Sequence, residues 1–341
     1  MNDLTADVRA LAETRAARLK ALGQQRGVLS GQESYWGDLA KVLAGSEFIA
    51  RALSGNPSLL GKLDAVQSPA RPDTLRRQID DLHGGREEVG AALRRMRQEE
   101  IVRLGWRDLV GDAPLSEVLE TLSTLADAAI EAALRCAHSE LVSRFGQPIG
   151  ENSGTPVQLT VLGLGKLGGR ELNMSSDVDL VFAYRENGST HGARSISNHE
   201  FFIKLGRALI DILQTPTAEG IVFRVDMRLR PNGDSGPLAL SFDAIDHYFL
   251  THGREWERYA LIKARPVAGD IAAGHELLAN LRPFVYRKYL DFGAFESIRS
   301  MKTLIDRELA KKSLAGNVKL GRGGIREIEF IVQSLQLIYG G

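Results

Sequence analysis

The chain has 341 residues, enough for about two or three domains with cores of their own. It is 43% hydrophobic and 25% charged, with 43 basic residues against 43 acidic ones, so its charge indicates neither a nucleic-acid nor a membrane partner. A single cysteine excludes an internal disulfide framework, and neither a signal peptide nor a membrane-spanning run is present, so the sequence predicts a soluble, cytoplasmic protein.

Residues 1–150 are patterned as helices almost throughout. Apolar residues recur at three- and four-residue steps, most regularly at Leu115, Val118, Leu122, Leu125, Ala129 and Ala133. Breaks are predicted near 54–57, 69–72 and 111–114, where Gly, Pro, Asn and Asp cluster. Ser116 is expected to cap the last long helix. This region is interpreted as a helical support or partner-docking domain without chemistry of its own.

A basic run lies within these helices, at Arg94-Arg95-Met96-Arg97. Glu99 and Glu100 follow it in the chain. Mixed charges at such spacing are typical of a helix face that water solvates. The run is therefore predicted to be a solvated surface rather than a binding patch.

The segment 162–184 contains the densest set of candidate functional residues. A stretch rich in Gly, Pro, Ser and Asn at 146–156 predicts a domain boundary before it. The segment then leaves one apolar strand, passes a turn with four glycines and enters a second apolar strand that carries Asp177 and Asp179. Because strand side chains alternate, these carboxylates should share one face, where a hard divalent ion such as Mg²⁺, or Mn²⁺, would offset their charge.

A helix is predicted at 199–213, and a further strand at 220–231. Alternation along this strand places Arg224, Asp226, Arg228 and Arg230 on one face and apolar residues on the other. Asp226 is predicted to complete the metal cluster, while Arg228 and Arg230 reach phosphates or an anionic transition state. A cross-strand ladder of ion pairs is the open alternative.

Three carboxylates beside a glycine turn suit metal-dependent nucleotidyl transfer, in which ions bind the phosphates and offset charge on the leaving oxygen. Glycines let backbone N–H groups approach a phosphate closely, and nearby Lys and Ser side chains add donors. The predicted nucleotide- or phosphate-binding residues of this region are Gly165, Lys166, Gly168, Gly169, Ser175 and Ser176.

Two other phosphate-binding motifs are rejected. Residues 163–168 match the dinucleotide fingerprint GxGxxG, but too few residues separate Gly169 from the acidic strand to hold a crossover helix. A P-loop fails because Thr160 stands where its first glycine should be, and Leu167 where Ser or Thr should follow the lysine.

The remaining C-terminal features are left open or given structural roles. A strand is predicted at 260–266, with Lys263 and Arg265 as either substrate ligands or ion-pair partners. A helix is predicted at 325–337, where Arg326 and Glu329 are spaced to pair. The tryptophans are expected in the core, and the histidines lack metal-ligand spacing; the tryptophans are Trp36, Trp106 and Trp256.

Five long motifs occur in an order that resembles the bifunctional glutamine synthetase adenylyltransferase/adenylyl-removing enzyme family. They read GLGKLGGRELNMSSDVDLVFAY, FRVDMRLRPNGDSGPLALS, WERYALIKARPVAGD, FVYRKYLDFGAFESIRSMK and KLGRGGIREIEFIVQSLQLIYGG. The resemblance implies an α+β, mostly helical chain with a central DNA polymerase β-like nucleotidyltransferase domain. The implied division is a helical domain at 1–150, the nucleotidyltransferase domain at 151–270 and a C-terminal helical region at 271–341.

The wording NMSSDVDL, VDMRLRPNGDSG and GGIREIEFIVQ is similar to the N-terminal, adenylyl-removing half of that family, and the ending Gly340-Gly341 suggests a fragment that lacks the second half. The resemblance implies that Asp177, Asp179 and Asp226 hold the metal. The implied reaction is phosphorolysis of adenylylated glutamine synthetase, which yields ADP.

The resemblance also implies partners and two alternative functions. The implied partners are glutamine synthetase, the PII signalling protein (uridylylated or not), ATP, ADP and phosphate, with glutamine as an effector. The alternatives are adenylylation of the synthetase from ATP, and a non-catalytic module that binds nucleotide or PII.

Overall fold

The computed structural model describes residues 6–25, 27, 33–69, 71–286, 303, 318–319 and 323–340. Its α+β architecture confirms the predicted fold class. Two compact units interleave along the chain. The helical unit comprises Met1–Ala137, Arg170–Asp177 and Leu209–Arg224, and the sheet unit comprises His138–Gly169, Val178–Ala208 and Val225–Gly341. The three-part division made from the sequence stays a prediction.

The helices before the first strand follow the predicted breaks. They are α1 (Ala6–Gln25), α2 (Glu33–Gly45), α3 (Glu47–Gly55), a 3₁₀ segment (Pro57–Gln67), α4 (Pro72–Asp80), α5 (Arg86–Val110) and α6 (Leu115–Phe145). Gly111 ends α5 with φ of 94°, a conformation that favours glycine. The Ser116 cap is wrong, because the Pro114 carbonyl accepts from the Glu117 N–H at 2.9 Å and the helix already begins at Leu115.

The core of the helical unit is built from α1, α2, α3, the 3₁₀ segment and α5. Leu39 and Leu53 are fully buried in it, and Trp106 is nearly so, as predicted. Each such side chain contributes about 1.5–3 kcal/mol through burial. The side chain of Trp36 lies outside the described residues.

The basic run on α5 departs from the solvated face predicted for it. Arg95 is exposed and pairs with Glu219 at 3.2 Å, as a solvated residue would. Arg94 is only 9% exposed, and its guanidinium lies 3.4 Å from where a methyl group on Gly90 would stand. Arg97 is largely buried as well. The prediction was therefore wrong for Arg94 and Arg97, because a single helix turn carries side chains to both the core and the solvent.

The strands belong to the sheet unit. They are β1 (Gln147–Gly150), β2 (Leu159–Leu164), β3 (Val178–Tyr184), β4 (Gly188–His191), β5 (Val225–Asp226), β6 (Ala239–Ser241) and β7 (Arg265–Gly269). The main sheet has the order β5-β3-β2-β7, with β6 also paired to β3; β1 and β4 form a separate antiparallel pair. β2 runs antiparallel to β3 and β7, while β5 and β6 run parallel to β3. The continuous apolar runs of β2 and β3 fit their central positions.

The helices of the sheet unit begin with the short α7 (Gly165–Gly168). Those that follow are α8 (Asn198–Gln214), α9 (Phe242–Thr251), α10 (Glu255–Ile262), α11 (Ile271–Val285) and α12 (Ile325–Tyr339). α9 and α11 pack against β2 and β3 around a shared core with Leu162, Val181 and Leu277. Among the described residues, no helix is both long and apolar enough to cross a membrane.

The predicted strand at 220–231 shrinks to two residues. Only Val225 and Asp226 pair with β3, and the chain then turns: the Arg230 N–H donates to the Met227 carbonyl at 3.3 Å. Asn232 follows with φ of 61°. Arg230 therefore does not line up with Arg228 on a strand face. Its guanidinium is nearly buried and donates to the carbonyls of Met227 and of Gly236 in the same loop.

The predicted strand at 260–266 is helical up to Ile262. Glu257 is buried at the start of α10, where its carboxylate accepts from the Arg254 N–H at 2.7 Å and from the Tyr248 hydroxyl at 2.8 Å. These bonds fix the first turn, so α10 rather than a strand leads up to β7. Trp256 is 37% exposed, so its predicted core role was wrong.

The C-terminal helix is confirmed as α12, two residues longer than predicted. Its Glu329 carboxylate lies 4.0 Å from the Lys263 ammonium instead of pairing with Arg326. The motif at 284–302 lies almost wholly outside the described residues.

Candidate functional site

The glycine turn follows β2 directly and is packed too closely for side chains at two positions. Gly165 has φ of 53°, and a methyl group there would stand 2.6 Å from Oδ2 of Asp179. A methyl group on Gly168 would overlap the carbonyls of Gly163 and Lys263. The glycines thus let the turn contact both an acidic side chain and the chain that enters β7.

Arg265, at the start of β7, positions this turn. Its guanidinium donates to the carbonyls of Leu167 at 3.0 Å and Gly168 at 3.2 Å. The sequence left open whether Arg265 contacts substrate, and the structure places it under the turn instead. Lys166, on the turn itself, is half-buried and makes no hydrogen bond or ion pair with any residue of the described ranges.

Asp179 and Asp226 come together at the β3–β5 pairing. The strands run parallel, and the two aspartates are direct register partners. Neighbouring strands lie about 4.8 Å apart, and register partners project to the same face, so the carboxylates are adjacent. Asp226 is the residue that the sequence placed on a later strand, and this juxtaposition is what makes the pair a candidate site.

The Asp226 carboxylate is bound by Arg228. Its Oδ1 accepts from the Arg228 backbone N–H at 2.9 Å, and both oxygens accept from the guanidinium, with Nε at 3.0 and 2.9 Å. Hydrogen bonding from Arg228 lowers the pKa of Asp226, and Asp226 in turn raises the pKa of Arg228. Asp226 is therefore a carboxylate at neutral pH, paired with an exposed cation: the Arg228 side chain is 73% exposed.

Asp177 belongs to the helical unit and has its own partner there. Its carboxylate forms an ion pair with Arg224, whose guanidinium also donates to the Ser175 carbonyl at 2.7 Å. The hydroxyls of Ser175 and Ser176 both donate to the Asn173 side-chain oxygen, at 3.3 and 2.8 Å. The roles of Asp177, Ser175 and Ser176 in binding a metal or phosphate stay predictions.

The fit of a divalent metal to these residues depends on the Asp179–Asp226 pair. Within the described part of the chain, no three His, Cys, Asp or Glu side chains are grouped to hold an ion. Mg²⁺, however, is commonly bound by one or two carboxylates together with substrate phosphates and water. Two adjacent carboxylates supply that minimum, provided that Arg228 withdraws from Asp226. The donor set therefore fits a hard divalent cation.

Arg97 is a residue that sequence reasoning missed. Its guanidinium carbon lies 5.3 Å from the centroid of the Phe223 ring, and its buried Nε has no partner among the described residues. Burial, with a smaller contribution from the charge of Arg224, lowers the pKa of Arg97 to about 10. A cation–π contact gives about 2 kcal/mol, less than the several kcal/mol that burying an ion costs. The sequence does not show which hydrogen-bond acceptors lie near the basic run in space, so it could not show that Arg97 lacks one.

The acids that sequence proximity offered to Arg97 are engaged elsewhere. Glu99 pairs with Lys62, and Glu100 accepts from Arg103, whose Nε stands 3.1 Å from it. The helical unit thus leaves Arg97 with a stacked ring and no anion.

Comparison with known proteins connects this architecture to one family. Residues 36–280 match the family model described as glutamate-ammonia ligase adenylyltransferase. Residues 299–341 match a second model, described as GlnD PII-uridylyltransferase.

Curated relatives match over most of this chain. Proteins named bifunctional glutamine synthetase adenylyltransferase/adenylyl-removing enzyme include one from Nitrosococcus oceani, 53% identical over 89% of this chain and 32% of its own length. Another, from Pseudomonas aeruginosa, is 47% identical over 99% of this chain and 34% of its own length. This chain spans about a third of the length of these relatives. With a family model matched over more than half of its residues, the chain belongs to the glutamate-ammonia ligase adenylyltransferase family.

Proposed function

We propose that this chain catalyses metal-dependent nucleotidyl transfer on glutamine synthetase, in the direction that removes AMP from an adenylylated tyrosine by phosphorolysis. The observation that carries the proposal is the register pairing of Asp179 with Asp226 beside the glycine turn. The names of the relatives, which include both adenylyl transfer and adenylyl removal, support glutamine synthetase as the substrate. The NMSSDVDL wording, similar to the adenylyl-removing half, supports the direction.

In the proposed reaction, an oxygen of inorganic phosphate forms a bond to the phosphorus of the tyrosine-bound AMP. The bond from that phosphorus to the tyrosine oxygen breaks, and the tyrosine oxygen keeps the electron pair and takes up the proton that the attacking hydrogen phosphate loses. The products are ADP and unmodified tyrosine. Because phosphate is already largely ionised at neutral pH, no strong general base is required.

Each part of the candidate site in the sheet unit has a proposed role in this reaction. Asp179 and Asp226 would hold Mg²⁺ or Mn²⁺, which supplies positive charge against the phosphate oxygens. The glycine turn, held from below by Arg265, brings backbone close to a phosphate without side chains in the way. Arg228, exposed and long, would give up Asp226 to a bound cation and pair with a substrate phosphate instead.

The proposed partners follow from the same sources. Glutamine synthetase is the protein substrate, phosphate and ADP are the small-molecule partners, and ATP would serve the reverse chemistry. PII, uridylylated or not, and glutamine are proposed regulators. The match of 299–341 to a PII-uridylyltransferase model supports a link to PII.

The test is to mix the chain with adenylylated glutamine synthetase, Mg²⁺ and phosphate, and to measure ADP. We expect phosphate-dependent ADP release, lowered about 10²–10³-fold by Asp179→Asn, which removes one charge from the cation site. Asp211→Asn, an exposed change on α8, is the matched control and should keep full activity.

Two other results would contradict the proposal in different ways. Label transfer from ATP to the unmodified synthetase, without ADP release from the modified one, would reverse the direction. Neither reaction, with PII and its uridylylated form each tried, would favour a non-catalytic binding module.

A further inference from the structure

We infer that Arg97, together with Arg224, forms a binding site for a phosphate group on the helical unit, at residues to which the proposed reaction gives no role. The inference does not depend on the direction of the proposed reaction. It starts from a partly buried guanidinium whose buried Nε has no hydrogen-bond acceptor among the described residues.

The first step is the charge balance around Arg97. Arg97 lies over the Phe223 ring, and Arg224 is the next residue in the chain. The charge of Arg224 helps to lower the pKa of Arg97, so the two cations repel each other. Asp177 is ion-paired with Arg224 and balances one of the two charges. The charge of Arg97 has no carboxylate partner among the described residues.

The second step concerns the hydrogen-bond donors of Arg97. A buried arginine that serves the fold donates to carboxylates or carbonyls, because an unpaired buried ion is unfavourable. Arg97 makes no hydrogen bond or ion pair with the described residues, and its Nε is out of reach of water. Stacking on Phe223 fixes the plane of the guanidinium without using its N–H groups, so they stay available to a ligand.

The third step identifies the ligand class. The guanidiniums of Arg97 and Arg224 offer planar, forked donors that match the oxygens of a phosphate dianion. The site is open to solvent on one side, since the Arg224 side chain is 62% exposed. A phosphate there would neutralise the surplus charge and accept from both arginines. Inorganic phosphate and the phosphate of a nucleotide both fit, because the donors recognise the group that the two contain.

The experiment measures ligand binding to the whole chain by isothermal titration calorimetry and by thermal stabilisation, with a chelator present and without glutamine synthetase. Inorganic phosphate and AMP are titrated separately, with chloride at matched ionic strength as the blank. A ligand that binds only the folded chain raises its stability in proportion to RT ln(1 + [L]/Kd). These conditions keep the test independent of the proposed activity.

We expect Arg97→Gln to weaken phosphate binding at least about tenfold, the change that loss of one charge-assisted contact produces. Arg95→Gln, two residues away and exposed with its own partner, should bind as the unmodified chain does. Arg97→Lys should fall between them, because it keeps the charge and loses the fork. Arg224→Gln provides a second variant should Arg97→Gln not fold.

Binding of AMP but not of inorganic phosphate, again weakened by Arg97→Gln, would support the site and identify a nucleotide as the source of the phosphate. The inference would be overturned if neither ligand bound the unmodified chain. It would also be overturned if Arg97→Gln and Arg224→Gln bound the ligand as strongly as the unmodified chain does.

Discussion

Two arginines of helix α5, Arg107 near its C-terminal end and Arg97 in its middle, are accommodated in opposite ways. Arg107 is 4% exposed, and its guanidinium donates to both oxygens of Glu117, at 2.9 and 3.0 Å, and to the carbonyls of Val66 and Asp112. Arg97, three turns earlier, is largely buried against an aromatic ring and donates to nothing described. The difference indicates which arginine serves the fold and which one is available to a ligand, because a fold that needs a buried cation surrounds it with acceptors.

The largest expected effect is the loss of the paired arginine. Arg107→Met should lower the free energy of unfolding by about 3–5 kcal/mol, because it leaves the nearly buried Glu117 carboxylate and two carbonyls without their donor. Urea denaturation measures this. Arg95→Met, which breaks only an exposed pair with Glu219, is the control and should cost no more than about 1 kcal/mol. A similarly small loss for Arg107→Met would remove the distinction between Arg107 and Arg97.

The unpaired arginine should behave in the opposite sense. Arg97→Met should leave the free energy of unfolding unchanged within about 0.5 kcal/mol or raise it, measured without phosphate, because it removes an uncompensated charge and keeps the packing on Phe223. The sign follows from the pKa: a base whose folded pKa is lowered to about 10 destabilises the fold in its charged form at any lower pH. A loss as large as that of Arg107→Met would mean that the fold itself supplies an acceptor for Arg97.

His138 extends the comparison to a weaker base. It lies edge-on to Phe201, with ring centroids 5.9 Å apart, and its buried Nε2 has no partner among the described residues. Burial lowers the pKa of His138 below its ordinary 6.5. The unfolded chain therefore binds more protons as the pH falls below 6.5, so the stability that neutral His138 allows is fully present above that pH and declines below it.

His138→Phe should reduce the loss of stability between about pH 7.5 and 5.5, measured by thermal unfolding across that range. The exposed His247→Gln is the control and should leave the pH dependence as it is. If the stability of His138→Phe depended on pH as that of the unmodified chain does, burial would not lower the pKa of His138 in the folded protein.

The fold was predictable where apolar periodicity decided the structure. The breaks between the N-terminal helices, the strands on either side of the glycine turn, and the α8 and α12 helices follow patterns that packing enforces. Prediction failed at 220–231 and 260–266, where alternation suggested strands. There, side-chain hydrogen bonds decide the path of the chain: Arg230 donates to the Met227 carbonyl in the first segment, and Tyr248 donates to Glu257 just before the second.

The candidate site was predictable in part. Two adjacent strands bring Asp179 and Asp226 together, and the sequence could indicate this because each acid interrupts an apolar run. The roles of Arg265 and Arg97 could not be read from it. Each depends on which acceptors lie nearby in space: Arg265 reaches the turn from a strand about 100 residues later in the chain, and Arg97 has its neighbouring acids taken by Lys62 and Arg103.

The smallest expected effect concerns the exposed pair at the candidate site, Arg228 with Asp226. Arg228→Gln should change the free energy of unfolding by less than about 1 kcal/mol, because water screens a pair whose arginine is largely exposed. It should nevertheless raise the pKa of Asp226, since the Arg228 hydrogen bonds are the largest cause of its lowering. Any stabilisation from the pair is fully present above the ordinary carboxyl pKa and is lost as the pH falls through the lower, folded pKa.

Carbon-13 NMR of the carboxyl groups measures the shift in the pKa of Asp226, with Asp211→Asn as a variant in which the Asp226 titration should stay the same. An unmoved Asp226 titration in Arg228→Gln would mean that Arg228 is not its partner in solution, and that Asp226 reaches a cation without first displacing an arginine.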